Sequence, residues 1–327
     1  MIITKTPYRI SFFGGGSDYP NWFNKFSGQV LSTTINKHIY ITCRFLPKFF
    51  KHKYRIVWSK IENVKNINQI QHESVKGLLK YYKINNGVEI HYDGDLPARS
   101  GMGSSSCFTV GLMKAINSLN NKNVSNLELA KKAIFFEQRV MKETVGSQDQ
   151  VSASIGGFNK ILFKKNKILI KNIKKIKNIK KLEKNLLLIY TGINRTAHKI
   201  ASTYASKLSN EKKEYILKIC DHVSEGEKLL NAGHIDDFGK LLNNAWYLKK
   251  KLSSSISNSK IDELYDLAIR YGALGGKLLG AGGGGFLLLY MPNKFRKRFF
   301  KDNRKLIDIP FNFTNEGAQV IFKDLNR

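Results

Sequence analysis

Residues 97–107 read PARSGMGSSSC, a glycine-rich turn that leads directly into a predicted helix, Ser104–Leu119. Gly101 and Gly103 allow the backbone to turn sharply and to approach a ligand without an intervening Cβ. The three serines that follow place hydroxyl groups and backbone N–H groups at a helix N-terminus, which suits a phosphate. One serine would be enough to cap the helix. The full pattern therefore predicts a phosphate-binding loop, called the middle loop below.

Two other glycine-rich segments flank the middle loop in the chain. The opening loop, residues 13–20, reads FGGGSDYP and follows a predicted strand, Ile10–Phe13. The late loop, residues 279–287, reads LGAGGGGFL and lies between a predicted helix, Ile261–Tyr271, and a predicted strand, Gly285–Tyr290. It contains a formal G-x-G-x-x-G, but a dinucleotide-binding fold needs the reverse order, with the strand first and the helix after. Five glycines in six residues instead favour close backbone approach to a phosphate or a sugar.

Together the three loops resemble the motifs of the GHMP kinase superfamily, in the family's order and across nearly the whole chain. The middle motif, P-x-x-x-G-L-G-S-S in the family, is PARSGMGSS here. The late motif is KLLGAGGGGF, and the opening PYRISFFGGGSDY has the spacing of the galactokinase signature. The resemblance implies an ATP-dependent and Mg²⁺-dependent kinase. It also implies an α+β fold of two lobes, the second with a ferredoxin-like element, and an active site between the lobes.

The sequence departs from galactokinase at Gly15 and Gly16, where that signature has Glu-His. The GGGSD opening, residues 145–150 (VGSQDQ) and the later Thr191-Gly192-x-x-Arg195 resemble the branch of heptose 7-phosphate kinases and fucokinase-related enzymes. The resemblance implies phosphorylation of a heptose 7-phosphate at its anomeric hydroxyl, a step toward nucleotide-activated heptose and surface polysaccharide. The alternatives are a fucose-, galactose- or mevalonate-type kinase, or a non-catalytic sugar-sensing or RNA-binding relative.

By the same resemblance, Asp149 takes or orients the proton of the acceptor hydroxyl, and Arg9 balances charge on the transferring group. From the residues alone, Asp149 could equally cap a short helix. Ser105 and Glu137 are the candidate Mg²⁺ ligands, with Glu143 as the reserve acid, because Mg²⁺ prefers hard oxygen donors. The candidate ATP contacts are Pro97, Ser100, Gly101, Met102, Gly103, Ser104, Ser105 and Ser106. The candidate acceptor contacts are Gly16, Ser17, Asp18, Arg99, Arg195, Gly282 and Gly283.

Several of these assignments have a plainer alternative. Asp18 could be a turn-forming aspartate beside Gly16. Arg99 and Arg195 are each a candidate for holding a substrate phosphate, since arginine binds phosphate bidentately, and each could also be an ordinary surface arginine. Glu137 could be a solvated surface glutamate.

Composition narrows the class of protein further. The chain has 327 residues and a net charge of +30, carried mostly by scattered lysines, which does not favour a specific nucleic-acid site. No apolar run is long enough to span a membrane, and the N-terminus lacks the order of a secretory signal. Three scattered cysteines without metal-ligand spacing favour reduced thiols in the cytoplasm. We expect lobes of residues 1–184 and 185–327, and the sequence leaves the oligomeric state open.

Overall fold

The chain folds as alternating strands and helices, as a computed structural model describes for residues 1–193 and 197–324. The strands are β1 (Ile2–Phe13), β2 (Gly28–Phe45), β3 (Tyr54–Val57), β4 (Ile61–Val64), β5 (Val88–Gly94), β6 (Asn159–Lys164), β7 (Lys167–Asn172), β8 (Leu186–Tyr190), β9 (Gly275–Leu278), β10 (Phe286–Tyr290), β11 (Ile307–Asp308), β12 (Phe313–Thr314) and β13 (Gln319–Lys323). The helices are α1 (Pro20–Phe26), α2 (Glu73–Tyr81), α3 (Ser104–Leu119), α4 (Asn126–Phe135), α5 (Gln148–Ile155), α6 (Ile179–Asn185), α7 (Ala197–Ser202), α8 (Lys213–Ala232), α9 (Ile235–Lys250), α10 (Ser259–Arg270) and α11 (Asn293–Asp302).

The N-terminal lobe is built on a large sheet whose central strand is β2. The main strand order is β13-β1-β2-β5-β3-β4, and β6 and β12 also pair with β2. Strand β2 can serve several partners because it is 18 residues long. Its buried residues Ile39, Ile41 and Cys43 alternate along the strand, as expected for β-branched and small apolar residues facing a core. Helix α3 packs against β1 and β2 and so brings its N-terminus to this sheet.

The C-terminal lobe contains a second, four-stranded sheet in the order β11-β8-β10-β9, with antiparallel pairing throughout. Counted in chain order this is 4-1-3-2, the order of a ferredoxin-like sheet. Strand β10, FLLLY, is buried at every position, because helices cover both faces of the sheet. The expected two-lobed α+β fold with a ferredoxin-like element is therefore confirmed.

The two lobes share apolar contacts around the end of β1. The ring of Phe238 in α9 packs edge-on against Phe12 at 5.3 Å and against Phe13 at 5.1 Å between ring centroids. Strand β13, at the far end of the chain, pairs antiparallel with β1 in the first lobe. The lobe boundary at residue 184 stays a prediction, and the last strand crosses it in space.

Three local predictions are refined by the structure. The late loop joins β9 to β10 and is preceded by a strand, so the helix predicted directly before it was wrong. The Ser125 hydroxyl accepts from the Glu128 N–H, as predicted for a helix start, but that helix finishes in a π-helical turn, Phe136–Val140. The predicted helix at residues 195–208 is shorter, with α7 followed by a 3₁₀ turn, Ala205–Lys207. Every helix within the described ranges is too short or too polar to cross a bilayer.

Candidate active site

A cleft of about 780 Å³ lies between the lobes and is lined by parts of all three glycine-rich loops. The opening loop contributes Gly14–Gly16 and Asp18, and the middle loop contributes Arg99, Gly101 and Gly103 through Ser106. The late loop contributes Gly280 and Ala281. The middle and late loops touch directly, because the Ser100 carbonyl accepts from the Phe286 N–H at 3.1 Å. Three segments far apart in sequence thus converge on one cavity.

The cleft contains a bidentate ion pair between Arg9 of β1 and Asp149 of α5. Arg9 Nε donates to Asp149 Oδ1 and Arg9 Nη2 donates to Asp149 Oδ2, each at 2.8 Å. The arginine side chain is only 3% exposed, whereas the aspartate is 24% exposed and lines the cavity. Arg9 Nη1 also donates to the Gly101 carbonyl at 2.9 Å. The guanidinium therefore fixes both the carboxylate and the middle loop, and it leaves one face of the carboxylate open to the cleft.

The middle loop turns into α3 at Gly103, whose φ of +78° lies in the left-handed region. A Cβ at Gly103 would stand 3.2 Å from Asp149 Oδ2, so a side chain here would press on the carboxylate. Because Gly103 caps α3 without a side-chain bond, the N–H groups of the first turn face the cleft beside Ser104 and Ser105. This arrangement suits the oxygens of a phosphate.

The other predicted residues of the middle loop have structural contacts. Met102 is fully buried, and its carbonyl accepts from the Arg9 N–H at 3.4 Å. Ser100 is also fully buried, and Pro97 is exposed at the start of the loop. Arg99 is exposed at a φ of +60°, and its N–H donates to Ser104 Oγ at 3.1 Å.

Glu137 lies in the π-helical turn and is almost fully buried behind the first turn of α3. Its Oε2 accepts from Ser106 Oγ at 2.8 Å and from the Gln150 side-chain amide. Burial, with a further contribution from Glu143, raises the pKa of Glu137 to about 7. The structure thus joins Glu137 to Ser106 rather than directly to Ser105, the neighbouring residue on the cleft side. Glu137 is not the solvated surface residue of the plainer alternative.

Asp18 is buried in the opening loop and accepts from the backbone N–H groups of Gly16 at 3.0 Å and Gln148 at 3.2 Å. Burial and the nearby Asp149 carboxylate raise the pKa of Asp18. Gly146 is required beside it, since a Cβ there would stand 1.9 Å from Asp18 Oδ2. Asp18 therefore lines the cleft close to the ion pair, and it is more than a residue that shapes an exposed turn.

Two predicted acceptor contacts face away from the cavity. The Ser17 hydroxyl is buried and bonded to the carbonyls of Gly14 and Gln29, at 2.8 and 2.9 Å, so it holds the opening loop onto β2. In the late loop, Gly282 and Gly283 pack against Ile256: a Cβ at Gly282 would stand 2.6 Å from the Ile256 Cα, and the Gly283 N–H donates to the Ile256 carbonyl. Arg195 lies outside the described residues.

Sequence reasoning missed an aromatic group at one end of the cleft, near α3. The His72 ring stacks on Phe108 at 4.9 Å and meets Trp58 edge-on at 5.0 Å, while Tyr92 packs edge-on against Phe108 at 5.6 Å. All four side chains line the cavity. No sequence signal could have grouped them, because they come from separate elements and only the fold brings them together.

Lys277, Lys249 and Gln148 also line the cleft and were not assigned from sequence. Lys277 could have been suspected, since it opens the late motif. Lys249 Nζ donates to the carbonyls of Leu278 and Gly280, at 2.7 and 2.6 Å, at the base of the late loop.

Comparisons with known proteins agree with this architecture. Residues 69–157 match the family model "GHMP kinases N terminal domain", and residues 227–302 match "GHMP kinases C terminal". The chain is 32% identical over 347 aligned positions to the D-glycero-alpha-D-manno-heptose 7-phosphate kinase of Campylobacter jejuni, covering 97% of this chain and 98% of that protein. It is 27% identical to the galactokinase of Pyrococcus furiosus, over 87% of each chain.

Among solved structures, a D-glycero-D-manno-heptose 1-phosphate kinase from Bacteroides thetaiotaomicron superimposes with a TM-score of 0.80. The two chains are covered completely and share 23% identity, so this likeness bears on the fold alone.

Proposed function

Since the chain belongs to the GHMP kinase family and is a sugar kinase, we propose that it phosphorylates the anomeric hydroxyl of D-glycero-D-manno-heptose 7-phosphate with ATP. The product would be the 1,7-bisphosphate, a precursor of nucleotide-activated heptose for surface polysaccharide. The observation that carries the acceptor is the 32% identity with the heptose 7-phosphate kinase of C. jejuni over 97% of the chain.

The ion pair supports the catalytic roles proposed for Asp149 and Arg9. Asp149 is exposed to the cleft on one side and held in place by two charge-assisted hydrogen bonds on the other. It takes the proton of the acceptor hydroxyl as the new O–P bond forms and the bond from the γ-phosphorus to ADP breaks. Arg9 offsets the negative charge that gathers on the transferring group and keeps the carboxylate aimed at the hydroxyl.

The nucleotide fits the opposite side of the same cleft. Its phosphates bind the N-terminal turn of α3 at Gly103, Ser104 and Ser105, where N–H groups and hydroxyls point at anionic oxygens. The base stacks in the aromatic group of Trp58, His72, Tyr92 and Phe108, about one helical turn along α3. Flat aromatic rings supply a large contact area at low entropic cost, which suits a planar base.

The oxygen donors at this end of the cleft fit Mg²⁺. Within the described residues no three His, Cys, Asp or Glu side chains cluster as a metal cage, which agrees with an ion held by few protein ligands together with phosphate oxygens. We propose Glu137 and Ser105 as those ligands, with the bond from Ser106 orienting the carboxylate. When bound, the metal supplies charge neutralisation between the transferring phosphates. The exposed Arg99 and Arg195 remain the candidates for the acceptor's distal phosphate.

The assignment is tested by measuring ATP consumption with heptose 7-phosphate, free heptose, galactose, fucose and mevalonate. We expect kcat/KM for free heptose to be lower than for the 7-phosphate by roughly 100-fold, because charge-assisted bonds to the distal phosphate are lost. A ³¹P NMR spectrum of the product should show the new phosphate coupled to the anomeric proton.

Arg99→Ala and Arg195→Ala, made singly, should show which arginine holds the distal phosphate, because its loss erases most of the preference for the 7-phosphate. Comparable efficiency with galactose, fucose or mevalonate would overturn the acceptor and leave the kinase assignment standing.

A further inference from the structure

Lys277 of β9 is a buried cation at the floor of the cleft. Its side chain lines the cavity although the residue is only 6% exposed, and its Nζ donates to the Phe12 carbonyl of β1 at 2.8 Å. Lysine is rarely buried to this extent unless a partner compensates the charge. The role of this ammonium group therefore depends on the charges around it.

Two charged groups and one histidine face Lys277. Burial and the Arg9 guanidinium lower the pKa of Lys277 to about 7, while the Asp18 carboxylate acts in the opposite direction. His222, on α8, also faces the ammonium, and its own pKa is lowered by burial, so the imidazole is neutral near pH 7. The attraction that favours a charged Lys277 therefore comes from Asp18.

Asp18 has the complementary problem. It is 1% exposed, and the carboxylate of Asp149 stands nearby, so both burial and repulsion raise its pKa. Two backbone N–H groups, those of Gly16 and Gln148, act against this rise. Such a carboxyl group needs a positive charge close by if it is to stay ionised.

The other groups around Asp18 do not supply that charge. Arg9 is already committed to both oxygens of Asp149. Tyr19 and Cys220 also interact with Asp18, but burial raises the pKa of each, so both stay neutral in the physiological range. Lys277 is the cation left to balance Asp18 among the described residues that these interactions connect.

We propose that Lys277 is a positioning residue for the acceptor, whose ammonium group keeps the buried Asp18 carboxylate ionised so that it can accept hydrogen bonds from sugar hydroxyls. This inference rests on the proposed function, in which Asp18 contacts the acceptor. A protonated Asp18 would donate one hydrogen bond and accept fewer, so its contact with two neighbouring hydroxyls would be lost. The pair thus controls the pH range over which the acceptor binds.

Lys277→Gln isolates the charge, because the amide can still donate to the Phe12 carbonyl. The ionisation of Asp18 can be followed without any ligand by infrared titration of the protonated carboxyl band, identified by its absence in Asp18→Asn. In Lys277→Gln we expect this band to persist to a pH about one unit higher than in the unaltered protein. Lys277→Met should do the same, and Lys277→Arg should restore the original titration.

Lys114→Gln is the matched control. Lys114 is a half-buried lysine of α3 that bonds Asn126 outside the cleft, so its loss should leave the band unmoved. An unchanged Asp18 titration in both Lys277→Gln and Lys277→Met would overturn the proposal, with circular dichroism confirming that each variant is folded.

The kinetic measurement uses KM for heptose 7-phosphate as a function of pH. In Lys277→Gln the rise of KM on the acid side should move to higher pH by the same interval, with kcat above pH 8 changed much less. Adding Lys277→Gln to Asp18→Asn should cause no further shift. If the unaltered protein does not phosphorylate heptose 7-phosphate, the proposed function fails, while the infrared titration still decides whether Lys277 governs Asp18.

Discussion

At Asp149, both carboxylate oxygens are bonded to Arg9, and the nearest backbone of the middle loop is a glycine. The 3.2 Å separation between a Cβ at Gly103 and Asp149 Oδ2 explains why that position excludes a side chain. The ion pair and the loop thus constrain each other, and the catalytic geometry is set before any substrate enters. Preorganisation of this kind is the main contribution that a protein makes to phosphoryl transfer.

Replacing Asp149 with asparagine should leave the fold and nucleotide binding intact and lower kcat by roughly 10²–10⁴, the range for the loss of general-base catalysis. Asparagine keeps the volume of aspartate, but it cannot take the proton of the acceptor hydroxyl. The measurement is steady-state turnover together with binding of ATP. Asp237→Asn is a suitable control, because Asp237 forms an exposed ion pair with Lys240 far from the cleft lining. Turnover near normal in well-folded Asp149→Asn would remove Asp149 from its role.

At the scale of the secondary-structure element, the π-helical turn after α4 positions the candidate metal ligand. Glu137 lies in this turn and reaches Ser106 and Gln150, whereas the preceding helix residue Phe135 is exposed. The extra residue in a π turn shifts side chains around the helix axis, and such turns are frequent at functional sites.

Glu137→Gln should raise the Mg²⁺ concentration that gives half-maximal activity at fixed ATP by roughly 10-fold or more, because an anionic oxygen ligand is replaced by a neutral amide. The amide keeps the shape of the side chain and its place in the buried network. Glu143→Gln, at the reserve position, is the comparison. A larger effect at Glu143 than at Glu137 would reverse the assignment of the metal ligand.

The sequence predicted the loops better than the elements around them. Each glycine-rich loop has a local signature, because a phosphate-sized turn needs particular residues in order, and all three lie in the cleft as expected. Strand β9 was missed, since GGKL carries two glycines and shows no β pattern of its own; it is a strand because β10 pairs beside it. Lys277 and the ring of Trp58 became site residues only through such pairings, which local sequence does not encode.

At the scale of the whole molecule, the N-terminal sheet is finished by residues from the end of the described chain. Strand β13 pairs with β1 from Ile2 to Lys5, and β12 pairs with β2. Phe238 of α9 also covers the end of β1. A lobe that ends at residue 184 therefore lacks one edge strand and part of its apolar cover.

A fragment of residues 1–184 should fail to unfold cooperatively in urea, whereas the full chain should show a cooperative transition. The fragment exposes the outer edge of β1 and the surface that Phe238 covers, and small losses of this kind exceed the margin of a typical domain. Tryptophan fluorescence gives the measurement. Joining residues 312–324 to the fragment through a flexible linker should recover part of the transition. Cooperative unfolding of the bare fragment, with a free energy like that of the full chain, would show that the first lobe is independent.

The pairing of β1 with β13 also has a consequence for biosynthesis. Strand β1 leaves the ribosome first, and one of its two neighbours is synthesised about 300 residues later, which takes roughly 15–60 s at usual elongation rates. During that interval the nascent chain presents an apolar strand with an open edge, the kind of surface that recruits other unfolded chains. Yield in the cell should therefore depend on chaperones that shield β1 until residue 323 has emerged.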